Sequence, residues 1–206
     1  MIGFYNYTVY LTYANLISAI FGIGYALNGR PLSAVLCLAL AGFFDMFDGV
    51  VARTKQRNSF EKRYGVQIDS LADMVSFGLL PAVIGYTIGL NTWYGAALMV
   101  LYPLAALIRL AYFNVLTEED KEFASSGFIG LPVTSSAIVF PAIFVFKRVM
   151  GADFKYLYAA IMAVVLVLFV SKIKVKKLSQ KGLIALTVIG AIIITVLIIC
   201  KSKGVL

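Results

Sequence analysis

The sequence predicts an all-α, polytopic membrane bundle, and three observations carry that expectation. Of 206 residues, 61% are hydrophobic and only 14% charged, with a mean hydropathy of +0.92, which is too apolar for one water-soluble core. Charge-free stretches run from Met1 to Gly29, Met74 to Ile108, Gly127 to Phe146, Tyr156 to Ser171 and Gly182 to Cys200, and a bilayer span needs about 20 mostly apolar residues. The Lys and Arg residues sit almost wholly in the short connections between these stretches.

Seven spans follow, at 8–28, 32–53, 66–89, 93–114, 129–147, 154–171 and 182–200. Asn28-Gly29-Arg30-Pro31 divides the first two: a turn signal followed by a proline suited to a helix start. Gly89-Leu90-Asn91-Thr92 divides the long uncharged run into the third and fourth. No cation precedes Arg30, so the opening stretch lacks the basic n-region of a cleavable signal and is expected to stay as a helix. The spans leave no room for a soluble domain, and residues 1–206 read as a single integral-membrane unit.

Cytoplasmic loops carry the excess of Lys and Arg. With the N-terminus inside, Arg53, Lys55, Arg57, Lys62, Arg63, Lys121, Lys172, Lys174, Lys176, Lys177 and Lys181 fall on the cytoplasmic side. Arg30, Lys147, Arg148, Lys155, Lys201 and Lys203 fall opposite, which favours a cytoplasmic N-terminus. The net charge of +8 therefore points to an anionic lipid surface and not to nucleic acid. The aromatic residues are expected mainly at the interfaces and the lipid surface.

Histidine is absent, which excludes a His general base, a Ser-His-Asp triad and a haem ligand. Cys37 and Cys200 lie in apolar stretches without CxxC spacing, so they read as packing residues. The chemistry must rest on carboxylates. Asp45, Asp48, Asp69 and Asp73 lie within spans, where each ionised Asp near a helix centre opposes insertion by about 2.5–3.5 kcal/mol. On a helix of 3.6 residues per turn, Asp45, Asp48, Gly49, Ala52 and Arg53 share about 140° of one face. Gly65, Asp69 and Asp73 share a narrow face of the next helix. Both sets lie toward the cytoplasmic ends, so two antiparallel helices can set the four acids opposite one another.

Carboxylates that close repel unless cations separate them. An all-oxygen set without His or Cys points to Mg²⁺ or Mn²⁺, and two divalent ions would balance four carboxylates. Such a site suits a diphosphate, with Gly49 admitting a substrate group and Arg53 adding a charge-assisted contact. An ion-pair network is the bland alternative, but Arg109 is the only cation in a span beyond the motif itself.

The pattern Asp45-x2-Asp48-Gly49-x2-Ala52-Arg53-x11-Gly65-x3-Asp69-x3-Asp73 resembles the signature of the CDP-alcohol phosphotransferase family. Its eleven residues between Arg53 and Gly65 exceed the family's usual spacing, which should lengthen the loop. The segment from Gly65 to Gly78 and the run Phe128-Ile-Gly-Leu-Pro132 look like those of the phosphatidylserine synthase branch. The resemblance implies a six-helix core over about residues 8–171, with 182–200 as an extra helix. It implies transfer of phosphatidyl from CDP-diacylglycerol to L-serine with release of CMP, metal held by Asp45, Asp48, Asp69 and Asp73, and Asp73 also as base. Gly49, Ala52, Arg53 and Gly65 would face the CDP moiety, as would Thr12 and Asn15 in the first span. The resemblance also implies a homodimer. Arg109, Thr134, Ser135 and Ser136 are candidates for holding serine.

Rival acceptors, glycerol 3-phosphate and inositol 1-phosphate, carry a phosphate that should call for more than one intramembrane cation. A cation transporter would place its acids near the midplane in repeated halves, whereas these four lie in two consecutive spans toward one face. A structural scaffold leaves the acids unexplained.

Overall fold

The structure, a computed structural model, describes residues 3–52, 54–119 and 127–176, together with 182, 190–192, 194, 195 and 197–199. A 3₁₀ turn at Tyr7–Val9 leads into α1 (Tyr10–Leu27), and the tight turn at Asn28–Arg30 leads into α2 (Pro31–Ala52). The next helix is composite: α3 (Ser59–Asp73), a π-helical stretch at Met74–Leu79, and α4 (Leu80–Thr87). Then come α5 (Trp93–Glu119), a strand β1 (Gly127–Ile129), a 3₁₀ turn at Val133–Ser135 and α6 (Ser136–Phe144). A short α7 (Lys147–Met150) and a 3₁₀ turn at Gly151–Asp153 precede α8 (Phe154–Val170), and β2 (Lys174–Lys176) follows.

Five helical stretches among the described residues are long and apolar enough to cross a membrane: Tyr7–Leu27, Pro31–Ala52, Ser59–Thr87, Trp93–Glu119 and Lys147–Val170. They correspond to the first four spans and the sixth expected from the sequence. The fifth expected span, 129–147, is realised as a shorter apolar helix at Val133–Phe144. Its first residues are not helical: Ile129 pairs with Lys174 in an antiparallel ribbon, and Gly130 turns the chain with φ +73°. A Cβ at Gly130 would lie 2.6 Å from the Phe169 carbonyl oxygen, so only glycine fits there. Most of the seventh expected span lies outside the described residues.

α1 packs along α2 for much of its length, and α5 packs on α8 and α4. Small residues permit the close approach that substitutes in lipid for a hydrophobic driving force between helices. A Cβ at Gly22 would stand 2.9 Å from Leu80 Cδ2, and one at Gly42 would stand 2.3 Å from Ala137 Cβ.

The core between α5, α6 and α8 is aromatic, contrary to the expectation of a mainly peripheral role for these rings. Tyr102, Phe140, Phe144, Phe154, Tyr158 and Phe169 are all buried, with the Tyr102 ring centroid 5.8 Å from that of Phe140 and 5.3 Å from that of Phe169, and Phe140 4.8 Å from Tyr158. Both buried tyrosine hydroxyls are satisfied: Tyr102 shares a 2.7 Å hydrogen bond with Ser136, and Tyr158 donates to the Pro81 carbonyl at 2.9 Å. Trp93, Tyr5 and Tyr10 remain exposed, as an aromatic belt requires.

The π-helical stretch follows directly on Asp73. Leu80 N–H donates to the Val75 carbonyl, five residues back. Pro81 stands next in the chain; its ring has no N–H and would clash with the carbonyl four residues earlier in a regular helix, so a widened turn before it relieves the clash.

Candidate active site

The site lies at one end of the bundle, where α1 and α2 meet the composite helix. Tyr7 and Thr54 share a 3.1 Å hydrogen bond, tying the start of α1 to the loop after α2. Arg63 and Glu118 form an exposed 3.7 Å ion pair, tying α3 to the end of α5. The N-terminal segment, the 54–58 loop and the end of α5 therefore share one face.

α2 delivers Asp45 and Asp48 to this end, and α3 delivers Asp69 and Asp73. One carboxylate oxygen from each of Asp45, Asp48 and Asp69 lies within 4.8 Å of the others, close enough for a divalent cation to bridge. Asp48 and Asp73 are buried, at 8% and 7% exposure. Two like charges about 4 Å apart repel by about 4 kcal/mol at an effective dielectric of about 20, so the cluster calls for positive charge among its members. The residues fit a hard metal ion: the donors are all carboxylate oxygens, and Asp69 Oδ1 is buried with no hydrogen-bond partner among the described residues.

α1 supplies the hydrogen bonds that orient two of the acids. Thr12 Oγ1 donates to Asp48 Oδ2 at 3.1 Å, and Asn15 Nδ2 donates to Asp73 Oδ1 at 3.1 Å. Both follow from helical spacing, since Thr12, Asn15 and Ser18 form one buried stripe of α1, continued by Thr8 in the preceding 3₁₀ turn. Thr12 and Asn15, expected from the sequence to face the donor, thus stand against the acids.

A cavity of about 220 Å³ opens beside the cluster, bordered by Thr12, Asp48, Gly49, Ala52, Gly65 and Asp69. Nothing among the described residues lies within 4 Å of a Cβ built at Gly49, so this glycine leaves open space on the site side of α2. Arg57 and Lys62 also border the cavity, and both border an outer recess of about 530 Å³ with Ala52, Lys55 and Gln56. The sequence reading assigned these two cations only to the positive-inside count. Arg53 lies outside the described residues.

Arg109 is 8% exposed. It stays inside the bundle with its guanidinium 4.9 Å from the Phe113 ring centroid and its charge acting on Asp73 and Asp45; it does not snorkel to the surface. The three candidates near the fifth span separate. Ser136 is fully buried and engaged by Tyr102, Ser135 Oγ is buried with no partner among the described residues, and Thr134 is half-buried on the 3₁₀ turn. Sequence reasoning passed over Ser76, one turn beyond Asp73 on the π-helical stretch, which is fully buried with no partner for its hydroxyl among the described residues. Its place in Ser76-Phe77-Gly78 was the available signal.

Residues 5–200 match the model of the CDP-alcohol phosphatidyltransferase family. A CDP-diacylglycerol–serine O-phosphatidyltransferase of Mycobacterium leprae is 34% identical over 145 residues, covering 69% of this chain and 47% of that protein. One of Saccharomyces cerevisiae is 37% identical over 142 residues, covering 63% and 50%. An archaetidylserine synthase of Methanothermobacter thermautotrophicus is 32% identical over 175 residues, covering 84% and 70%. The chain spans about half the length of the first two of these relatives. With the family match covering nearly the whole chain and the four carboxylates gathered at one end of the bundle, the chain belongs to the CDP-alcohol phosphatidyltransferase family.

Proposed function

We propose that this chain is a phosphatidylserine synthase, transferring phosphatidyl from CDP-diacylglycerol to the hydroxyl of L-serine with release of CMP. The observation that carries the reading is the convergence of Asp45, Asp48 and Asp69 within 4.8 Å, with Asp73 beside them under the Asn15 amide. The family match and the names of the relatives support the same reaction.

Asp45, Asp48, Asp69 and Asp73 would hold two Mg²⁺ or Mn²⁺ ions, which neutralise the phosphoryl oxygens and so make phosphorus a better electrophile. Asp73 accepts the serine hydroxyl proton as the oxygen attacks the β-phosphorus, the one bearing diacylglycerol; the bond from that phosphorus to the CMP oxygen breaks. Asn15 holds the Asp73 carboxylate in the orientation to receive that proton, and Thr12 does the same for Asp48. Gly49, Ala52, Gly65 and Arg53 face the CDP moiety. Arg109 pairs with the serine carboxylate, whose burial near four acids demands a cation, and Thr134, Ser135 and Ser136 lie toward the acceptor side.

The reading extends to topology. Residues 1–206 form one integral-membrane catalytic unit with its core at about 8–171 and a further helix at about 182–200. The active site lies near the cytoplasmic face, the N-terminus is cytoplasmic, and the working form is a homodimer.

The test offers the purified protein CDP-diacylglycerol with serine, glycerol 3-phosphate or inositol 1-phosphate, with Mg²⁺ or Mn²⁺, and identifies the lipid product. Phosphatidylserine and CMP in equal amounts are expected; product only with a phosphorylated acceptor would replace serine. The archaetidylserine synthase, which shares 84% of this chain and 70% of its own length, favours a second reading in which the donor lipid is archaetidyl and the acceptor is still serine. An archaetidyl donor in the same assay separates the two.

A further inference from the structure

Beyond the signature residues, two cations, Arg57 and Lys62, border the cavity that Asp48 and Asp69 line, and the chain is built to hold one of them in place. Arg57 lies in the loop between α2 and α3, where a solvated side chain would be the ordinary outcome. Instead its Nη1 stands 2.9 Å from the position of a Cβ on Gly65, so the guanidinium lies over the bare face of α3. Its Nε is buried with no hydrogen-bond partner among the described residues. It borders both the inner cavity with Asp48 and Asp69 and the outer recess with Lys55.

Local structure explains the pose. Asn58, the next residue, caps α3 through a reciprocal box: Glu61 N–H donates to Asn58 Oδ1 at 2.7 Å, and Asn58 N–H donates to Glu61 Oε2 at 3.0 Å. Lys55 pairs with Glu61 at 3.7 Å. The loop is thus pinned on both sides of Arg57, and fixing its backbone aims the side chain across Gly65 into the cavity. A guanidinium donates through five N–H groups in a planar fork, and a buried donor without an acceptor is costly, so the pose calls for an anion with several oxygens. The carboxylates bordering the same cavity, with a divalent cation among them, would hold another part of that anion.

We infer that Arg57, assisted by Lys62, is a diphosphate-binding residue that grips the nucleotide side of the donor while the carboxylate cluster holds the other. The inference rests on the CDP-donor reading and adds to it a contact from outside the signature. Lys62 borders the same two cavities from the first turns of α3 and supplies a second, more mobile charge. In this arrangement Gly65 leaves room for the guanidinium, and a side chain there would displace it.

Calorimetry of the detergent-purified protein with Mg²⁺ and cytidine, CMP or CDP tests this without turnover. Unaltered protein should bind CDP more tightly than CMP and CMP more tightly than cytidine. Arg57→Gln should weaken CDP binding by about tenfold to a hundredfold, the ratio expected from losing a hydrogen bond between charged partners. Cytidine binding should not change. Arg57→Lys should recover part of the CDP affinity, and Lys62→Gln should cost less than Arg57→Gln. Should Arg57→Gln not fold, Arg57→Lys still carries the test through its KM for the CDP lipid, which should rise while the KM for serine holds. Equal CDP affinity in unaltered protein and Arg57→Gln, or an unchanged donor KM in Arg57→Lys, overturns the inference and leaves the donor reading standing. No CDP binding by unaltered protein overturns that reading and the inference with it.

Discussion

Asn15→Leu is the sharpest probe of how the site is held together. Leucine keeps the branching of asparagine at Cγ but is larger, so at this buried position it brings modest overpacking, while the amide that donates to Asp73 Oδ1 at 3.1 Å disappears. A hydrogen bond to a charged group contributes about 1.5–3 kcal/mol, so losing it costs a factor of about 10 to 150 at 1.4 kcal/mol per decade. If the bond orients Asp73 for proton transfer, that factor falls on kcat and the KM of the CDP lipid changes little. Folding should survive, because Asn15 Oδ1 is itself buried without a partner among the described residues and leucine removes that orphaned acceptor. The assay is steady-state CMP release with each substrate varied, with thermal unfolding on the same preparation. Asp73→Asn should itself abolish most turnover while sparing CDP-lipid binding, and Asn15→Leu added to it should cost little more, since the pair acts as a unit. A folded Asn15→Leu protein with unchanged kcat would refute the reasoning, and a raised donor KM at constant kcat would move Asn15 into direct contact with the donor.

Three further outcomes follow from the same geometry, alongside the CDP-binding prediction for Arg57. Asp45→Asn, Asp48→Asn and Asp69→Asn should each lose most activity while folding in detergent, and chelation should abolish turnover reversibly; full activity in excess chelator refutes a metal role. Arg109→Lys keeps the charge and loses the fork, so the serine KM should rise sharply at nearly constant CDP-lipid KM; equal damage to both argues for a bracing role toward Asp73 and Asp45. Gly42→Ala places a Cβ 2.3 Å from that of Ala137, and overpacking of this kind costs about 1–3 kcal/mol, read as a lower unfolding temperature; an unchanged temperature would show that α2 and α6 part without penalty.

What the sequence made legible tracks what depends on short-range periodicity. Hydropathy located Tyr10–Leu27, Pro31–Ala52 and Phe154–Val170 to within a few residues, because a bilayer imposes one length on every span. The third span was expected to begin at residue 66, but its helix begins at Ser59. The polar turns Ser59–Tyr64 extend beyond the apolar stretch, and the Asn58-x2-Glu61 capping signature that starts them is readable in the sequence. The fifth span was overextended because its charge-free run does not reveal that Gly130 turns the chain. At the site, the four acids stood out because buried charge in lipid has few bland explanations. Their partners did not: Asn15 and Asp73 are 58 residues apart, and only the packing of α1 on the composite helix brings them together. Arg57 reads in sequence like any loop cation; its position over Gly65 is a tertiary fact.

The arrangement also separates a phosphoryl-transfer site from a cation pathway. A transporter must release its ion to either side, so its acids belong near the midplane, between repeated halves that can rock. Here Asp45, Asp48, Asp69 and Asp73 come from the adjoining ends of α2 and the composite helix, at the end of the bundle that also carries Arg57 and Lys62. Cations bordering the cavity beside the acids would repel an approaching metal ion by itself, yet they attract a diphosphate, which can also ligate that ion. A diphosphate in the cavity satisfies both. Opposite charges bordering one cavity at an end of the bundle therefore suit a substrate that carries its negative charge at the headgroup and its acyl chains in the lipid. Within the bundle, the buried Arg109 interacts electrostatically with Asp73 and Asp45. Under the proposed reading, a donor in the cavity bordered by Asp48 and Asp69 and an acceptor carboxylate on Arg109 would draw on different cations, so the two substrates could meet at Asp73 without competing for charge.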